Sequence, residues 1–244
     1  MKKVAIFVEG QTELHFVHRL VNEIAGHGVA KVELWIHRGG SYIQLRSEGV
    51  PEEFADVLVM LVNCGGDGSV KSSILERREL LAAKDFKVIM GLQDLFPKSL
   101  EDRERFEAGL AKGLEFPGQS IQIFLAIAEV EAWFLSESTH FERVDPTLSL
   151  DRIRAEIGFD PSSPTLESDV PHPTNKLKEI YGLVDRRYRK REAETHSMVS
   201  HLDFDEIYTT VRSVSSSLDA FISSLESAIC VSGAERANTA LEGC

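Results

Sequence analysis

The stretch KVAIFVEGQTELHF, residues 3–16, decides the fold of the N-terminal half of the chain. Residues 4–8 are apolar and rich in β-branched side chains, which predicts a buried strand. The run ends at Glu9 and Gly10, and apolar residues then recur at helical spacing over residues 14–21. A strand that runs directly into a helix is typical of α/β folds. Glu9 therefore lies at the end of a core strand, either as an acid that begins a helix or as a ligand for a metal or a substrate.

The composition is that of an acidic globular protein. The chain has 244 residues, of which 43% are hydrophobic and 27% charged, and its formal net charge is −12. This length suffices for one large domain or for one domain with a small appendage. The negative charge argues against a protein that coats nucleic acid non-specifically, because such a surface is broadly basic. An enzyme that holds phosphates through a metal ion, a local basic patch or a basic partner remains compatible with it.

The sequence carries no pattern typical of export or of membrane insertion. No apolar run approaches the roughly 18 residues that span a bilayer, and the run that follows Lys3 is too short for a signal peptide. Cys64, Cys230 and Cys244 lie far apart without CxxC spacing, which argues against a disulfide framework or a zinc site. We therefore expect a cytoplasmic protein that does not contact membranes.

Strand and helix patterns alternate through the first half of the chain. The predicted strands are residues 4–8, 32–37, 56–63, 87–92 and 121–126, and the predicted helices between them are residues 12–25, 69–83 and 99–112. Strands that are apolar on both faces and alternate with helices indicate a mostly parallel sheet covered on both sides. We predict an α/β domain over residues 1–136.

Helical patterns dominate the second half. They cover residues 129–136, 150–157, 174–181 and 204–228, and four prolines between residues 161 and 173 predict a long surface loop. We predict a helical extension over residues 137–230 that packs on the α/β domain. The small and polar residues 231–244 are expected to form a flexible tail.

Acidic side chains follow several of the predicted strands, and the carboxyl ends of parallel strands meet at one edge of a sheet. Glu9 follows the first strand, Asp94 closes the fourth, and Glu129 and Glu131 follow the fifth. Glu13 lies one helical turn after Glu9 and either points back to the same edge or caps the helix. Each of these acids could also be an ordinary turn or helix-start residue, although Glu129 and Glu131 lie among apolar residues. Together they would suit Mg²⁺ or Mn²⁺, which prefer hard oxygen ligands.

A glycine-rich loop, GGDGSVK at residues 65–71, opens a predicted helix. Its amide groups, including that of Gly66, could bind phosphate with support from Lys71. Gly10, beside Glu9, would likewise let a ligand approach the backbone closely. The alternative for the loop is a plain tight turn with a serine cap, since the spacing fits neither a Walker A loop nor GxGxxG.

The densest basic run of the chain is DRRYRKRE, residues 185–192. Arg187, Arg189 and Lys190 could bind a nucleic-acid backbone or an acidic partner. The alternative is a solvated, charged helix end.

With these residues assembled, the chain resembles the TOPRIM domain, the metal domain of topoisomerases and primases. It is most similar to a bacterial TOPRIM-like family that is often encoded beside ABC-type ATPases. The resemblance covers residues 1–136 and, loosely, the helical part. It rests on VEGQTE at residues 8–13, NCGGDGSVK at 63–71, GLQDLFP at 91–97, FPG at 116–118 and AEVEAWFL at 128–135.

The resemblance implies roles for individual acids. Glu9 would be a metal ligand or general acid–base, and Glu13 corresponds to the second glutamate of nucleases related to overcoming-lysogenization-defect proteins. Asp94 matches the first acid of the family's DxD motif. The second acid would be residue 96, which is Phe96 here, so Glu129 or Glu131 would have to complete the metal site.

The function implied is that of a Mg²⁺- or Mn²⁺-dependent endonuclease that cleaves DNA or tRNA. It would be the effector of an anti-phage defence system under the control of an ABC-type or AAA ATPase, and a homo-oligomer is compatible with this role. Two alternatives stay open. One is a non-catalytic TOPRIM-like regulatory subunit that binds the ATPase, and the other is a phosphotransfer or phosphatase enzyme that uses the glycine-rich loop and Lys71.

Overall fold

A computed structural model describes residues 1–26, 28–66 and 68–230, and within them six strands form one sheet. The strands are β1 Lys2–Val8, β2 Ala30–Arg38, β3 Ser41–Gly49, β4 Val57–Asn63, β5 Val88–Asp94 and β6 Ser120–Ala126. Their order across the sheet is β3–β2–β4–β1–β5–β6. Every neighbouring pair is parallel except β2 and β3. The mostly parallel α/β sheet expected from the sequence is confirmed.

The edge strand β3 is missing from the five predicted strands. Its apolar residues do not mark a core, because Ile43 and Leu45 are 48% and 51% exposed. It joins β2 through Gly39 and Gly40, whose φ angles of 59° and 74° lie in the left-handed region that glycine adopts without strain. The glycine turn therefore positions β3 beside β2, and the sequence of β3 has no pattern of buried apolar residues that would predict a strand.

Helices cover both faces of the sheet. Helix α1, Gln11–Ala25, packs on one face, and helices α2, Val70–Ala83, and α3, Arg103–Ala111, pack on the other. The side chains of β1 alternate accordingly: residues 4, 6 and 8 join the core with α1, and residues 5 and 7 join the cluster with α2. This period of two is what buries both faces of a central strand.

A series of helices follows β6 and covers the α1 face. They are α4 Glu131–Ser136, α5 His140–Val144, α6 Leu150–Ile157, α7 Leu166–Asp169, α8 Pro173–Gly182, α9 Glu192–His201, α10 Phe204–Glu206, α11 Arg212–Val214 and α12 Ser216–Ile229. Helix α12 packs against β6, β1 and α1. One apolar core thus includes both sheet and extension, as the contact of Phe16 with Trp133 illustrates, with ring centroids 5.6 Å apart.

The helices predicted over residues 129–136 and 204–228 differ most from those in the structure. The helix expected over residues 129–136 begins at Glu131, because Glu129 lies in the turn that leaves β6. The helix expected over residues 204–228 is interrupted by a π-helical segment, Ile207–Val211, and by an extended Ser215 whose hydroxyl caps α12. The tail predicted over residues 231–244 lies outside the described residues. Among the residues that are described, no helix has both the length and the apolar character that a membrane crossing needs.

Candidate metal centre at the carboxyl edge of the sheet

The carboxyl ends of β1, β5 and β6 bring buried acids together. Glu9 follows β1, Asp94 ends β5, and Glu129 and Glu131 follow β6, while Glu13 lies in the first turn of α1. We call these five residues the acidic cluster. Each is at most 9% exposed. Carboxylate oxygens of Asp94, Glu129 and Glu131 lie within 4.8 Å of one another, an arrangement that could hold a metal ion.

Backbone amides fix the carboxylate of Glu9. Its Oε1 accepts a hydrogen bond of 2.6 Å from the N–H of Gly68, and its Oε2 accepts one of 3.1 Å from the N–H of Asp94. The N–H of Gly66 donates to the backbone carbonyl of Glu9 at 3.1 Å. The glycine-rich loop thus orients an acid at the sheet edge, and the amide of Gly66, predicted as a phosphate contact, is already engaged.

Two other residues predicted to contact phosphate also bond within the protein. The ammonium group of Lys71 donates to the carbonyl of Gly109 at 2.6 Å, in helix α3. The N–H of Gly10 donates to Oε2 of Glu13 at 2.9 Å. This bond fixes Glu13 in the first turn of α1. Glu13 therefore caps the helix and also belongs to the acidic cluster, so both of its predicted roles hold together.

The turn after β6 directs Glu129 and Glu131 towards Asp94. Ala128 has a φ of 60°, an uncommon conformation for a residue with a Cβ, and it lies in the bend that follows the strand. Oδ1 of Asp94 then accepts a hydrogen bond of 3.1 Å from the N–H of Val130. Oε2 of Glu129 accepts one of 2.9 Å from the N–H of Thr174, at the start of α8.

Lys190 lies against the acidic cluster from the side of the extension. Its ammonium nitrogen is 3.1 Å from Oε1 of Glu131 and 3.2 Å from Oε1 of Glu129. The hydroxyl of the buried Tyr188 donates to the same Oε1 of Glu131 at 2.8 Å. The sequence did not identify Tyr188, and its only signal was an aromatic residue within a basic run. Lys190 was predicted as a nucleic-acid contact, but its described contacts are ion pairs with the cluster.

Burial and neighbouring charges disfavour the ionisation of three acids of the cluster, Asp94, Glu13 and Glu131. Burial raises the pKa of Asp94 well above its usual value, and the charges of Glu13 and Glu131 add to this effect. Burial, followed by the charge of Glu131, raises the pKa of Glu13 to about 7. Burial also raises the pKa of Glu131, although Lys190 opposes the shift. For Lys190 itself, burial acts against the charged form, but the surrounding carboxylates outweigh it and raise its pKa. One lysine therefore does not balance the charge of the cluster.

A divalent cation fits this set of donors. The ligands are carboxylate oxygens, which Mg²⁺ and Mn²⁺ prefer. Oε2 of Glu131 is buried and has no hydrogen-bond partner among the described residues. A buried carboxylate oxygen without a partner is costly, so it is a position at which a cation would be stabilising.

The cluster opens into a cleft of about 470 Å³. Glu9, Asp94 and Glu129 line its acidic side, and the basic side chains of Lys178, Arg189 and Lys190 line it as well. Arg187 is exposed outside this lining. Two other cavities, of about 660 Å³ and 700 Å³, are larger, but no member of the acidic cluster lines either of them. The smaller cleft is therefore the candidate site, because acids of the cluster line it.

Comparisons of the chain with family models, with curated proteins and with solved structures found no match in any of the three. Function must accordingly be inferred from the geometry of this cleft.

Proposed function

We propose that the protein is a metal-dependent nuclease that hydrolyses phosphodiester bonds of DNA or RNA with Mg²⁺ or Mn²⁺. The observation that carries the proposal is the convergence of Asp94, Glu129 and Glu131 within 4.8 Å, where Asp94 and Glu129 also line a cleft with basic side chains. The carboxylates would bind the cation, and Lys178 and Arg189, which line the cleft, would hold the phosphates of a substrate. An acidic protein needs such a local arrangement to bind a polyanion.

The TOPRIM-like assignment is part of this proposal. It is supported by the sequence resemblance together with the positions of Glu9 directly after β1 and of Asp94 at the end of β5. On the resemblance alone, we extend the proposal to a cytoplasmic effector of anti-phage defence that an ABC-type or AAA ATPase controls.

Hydrolysis adds water across a P–O bond, and we assign its steps to different acids of the cluster. Asp94, Glu129 and Glu131 would hold the cation, which when bound neutralises phosphate charge and activates water. Glu9 lines the cleft and is held there by two amides, and we assign to it the proton that the attacking water loses. The leaving oxygen takes its proton from solvent.

A second candidate, a non-catalytic regulatory subunit that binds an ATPase, is favoured by two specific observations. The ammonium of Lys190 already lies within 3.2 Å of Glu129 and Glu131, and Phe96 stands where the related domains carry a second acid. In this case the lysine is the permanent cation of the cluster, and no metal binds.

One set of measurements separates the two candidates. Plasmid DNA, single-stranded DNA and tRNA are incubated with the purified full-length protein in Mg²⁺, Mn²⁺ or EDTA, and metal binding is measured by calorimetry. For the nuclease, Asp94→Asn should lower cleavage by more than the roughly 10- to 100-fold that losing an outer-shell partner costs. Glu23→Gln, an exposed acid of α1 outside the cleft, is the matched control. Absence of both cleavage and metal binding would select the regulatory subunit.

A further inference from the structure

An exposed aromatic ring borders the acidic cluster. Phe96 lies two residues after Asp94 and is 43% exposed, whereas its neighbour Leu95 is 1% exposed. The Phe96 side chain lines the same cleft as Glu9 and Asp94. A large apolar side chain left open to solvent within a polar cleft gains stability when a flat apolar surface covers it.

The backbone holds this ring in place. The N–H of Phe96 donates to the carbonyl of Ala128 at 2.9 Å, directly before Glu129. The ring of His172 packs edge-on to Phe96, with centroids 5.4 Å apart and planes at 83°. His172 in turn precedes α8, whose residue Thr174 binds Glu129 through its N–H. Both rings are thus tied to the chain segments that flank one acid of the cluster.

We propose that Phe96, supported by His172, is a stacking platform for an unpaired nucleobase next to the scissile phosphate. This inference rests on the proposed nuclease function and defines its substrate class as nucleic acid that is single-stranded at the site. Stacking on aromatic side chains is how proteins bind bases without reading their sequence. Lys178 and Arg189, in the same cleft, supply cations for the adjoining phosphates.

The size of the cleft agrees with this substrate class. Its volume of about 470 Å³ lies within the range of roughly 300–1,000 Å³ that is usual for sites that take one small molecule. A base inside a duplex is stacked and paired, so it reaches a single ring only after it has been flipped out. An unpaired base meets no such cost, and single strands should therefore be preferred to duplexes.

Binding to an oligothymidylate is compared with binding to an oligonucleotide of equal length that contains abasic sites. The two carry the same phosphate charge and differ only in their bases. Fluorescence anisotropy is recorded with Ca²⁺ and with EDTA, and an oligouridylate and a fully paired duplex are measured in parallel. The variants are Phe96→Ala, Phe96→Trp and, as a matched control, Phe54→Ala. Phe54 is 72% exposed and does not line the cleft.

We expect Phe96→Ala to raise the Kd for oligothymidylate roughly 5- to 150-fold and to leave the abasic oligonucleotide unchanged. Phe96→Trp should retain binding, and Phe54→Ala should have no effect. Equal binding of the abasic, duplex and base-containing strands would overturn the inference, as would an equal loss for all strands in Phe96→Ala or no binding at all.

Cleavage assays distinguish the failure of this inference from the failure of the proposed function. Metal-dependent cleavage that does not depend on bases would contradict the stacking platform and support the nuclease function. Base-dependent binding without cleavage in Mg²⁺ or Mn²⁺ would support the stacking platform and contradict the nuclease function.

Discussion

Lys190 and Glu131 form an ion pair of 3.1 Å that joins the C-terminal helices to the edge of the sheet. Glu131 is fully buried, and Lys190 is 39% exposed on its side chain. A buried carboxylate of this kind needs a positive partner, a proton or a metal ion. The lysine and a bound cation therefore compete for the negative charge of the same carboxylates.

Replacing Lys190 with methionine should change stability and metal binding in opposite directions. Without metal, we expect the free energy of unfolding to fall by about 1–3 kcal/mol. This is less than the roughly 3–5 kcal/mol typical of breaking a buried pair, because solvent screens the partly exposed lysine. Mg²⁺ should bind more tightly, because its competitor is gone. Urea unfolding in EDTA and titration calorimetry measure the two effects.

Lys178→Met is the matched control, since Lys178 lines the same cleft and makes no ion pair among the described residues. It should leave the metal-free stability nearly unchanged. Metal binding that weakens in Lys190→Met would mean that the lysine supports the site instead of competing for it.

Stability without metal should fall as the pH rises from about 4.5 to about 7. Burial and the charge of Glu131 raise the pKa of Glu13 from 4.5 to about 7 in the folded protein. The folded state therefore binds a proton that the unfolded state has already lost within this window, and this stabilisation disappears as the pH passes about 7. The contribution of Glu13 is on the order of 3 kcal/mol at most.

Unfolding in EDTA at several pH values tests this dependence. Glu13→Gln should flatten the decline, whereas Glu23→Gln on the same helix should retain it. An equally steep decline in Glu13→Gln would assign the proton to another group, such as Asp94 or Glu131, whose pKa values are also raised.

Metal affinity should rise with pH, because the pKa values of Asp94 and Glu131 are raised. Protons and a divalent cation compete for the carboxylates of Asp94 and Glu131, so binding should release protons. For each proton released, the apparent Kd for Mg²⁺ should fall about tenfold per pH unit. Calorimetry in buffers with different ionisation enthalpies counts the protons. An affinity that does not depend on pH would show that the metal binds elsewhere.

Packing against β5 leaves no room for a side chain at Gly91. A Cβ there would lie 2.7 Å from Cγ1 of Val70 and 2.9 Å from Cγ1 of Ile123. We therefore expect Gly91→Ala to lower the free energy of unfolding by about 1–3 kcal/mol. Gly109→Ala, in helix α3 with open space around its Cβ, should instead stabilise by up to about 1 kcal/mol. Chemical unfolding of the two variants checks both signs, and equal stability would contradict the close packing at β5.

The sequence predicted those features that depend on local patterns. Five strands were found because each is an apolar run, and the acids were placed because parallel strands end at one edge. The strand β3 was missed because its residues are exposed and only a glycine turn creates it.

The remaining features depend on contacts between distant residues. Tyr188 reaches Glu131 over 57 positions of sequence, and Lys190 reaches Glu129 over 61. No local pattern encodes such a pairing. The amides of the glycine-rich loop are a similar case, because only the fold reveals that the N–H of Gly68 meets Glu9.

The position of Lys190 late in the chain has a consequence for biosynthesis. The strands that carry Glu9, Asp94 and Glu129 leave the ribosome before the lysine that pairs with Glu129 is translated. Until Lys190 is present, protonation is the way in which the nascent chain can neutralise these carboxylates at the edge of the sheet. An incomplete translation product that ends before Lys190 would therefore carry the acids without the lysine that pairs with Glu129 and Glu131.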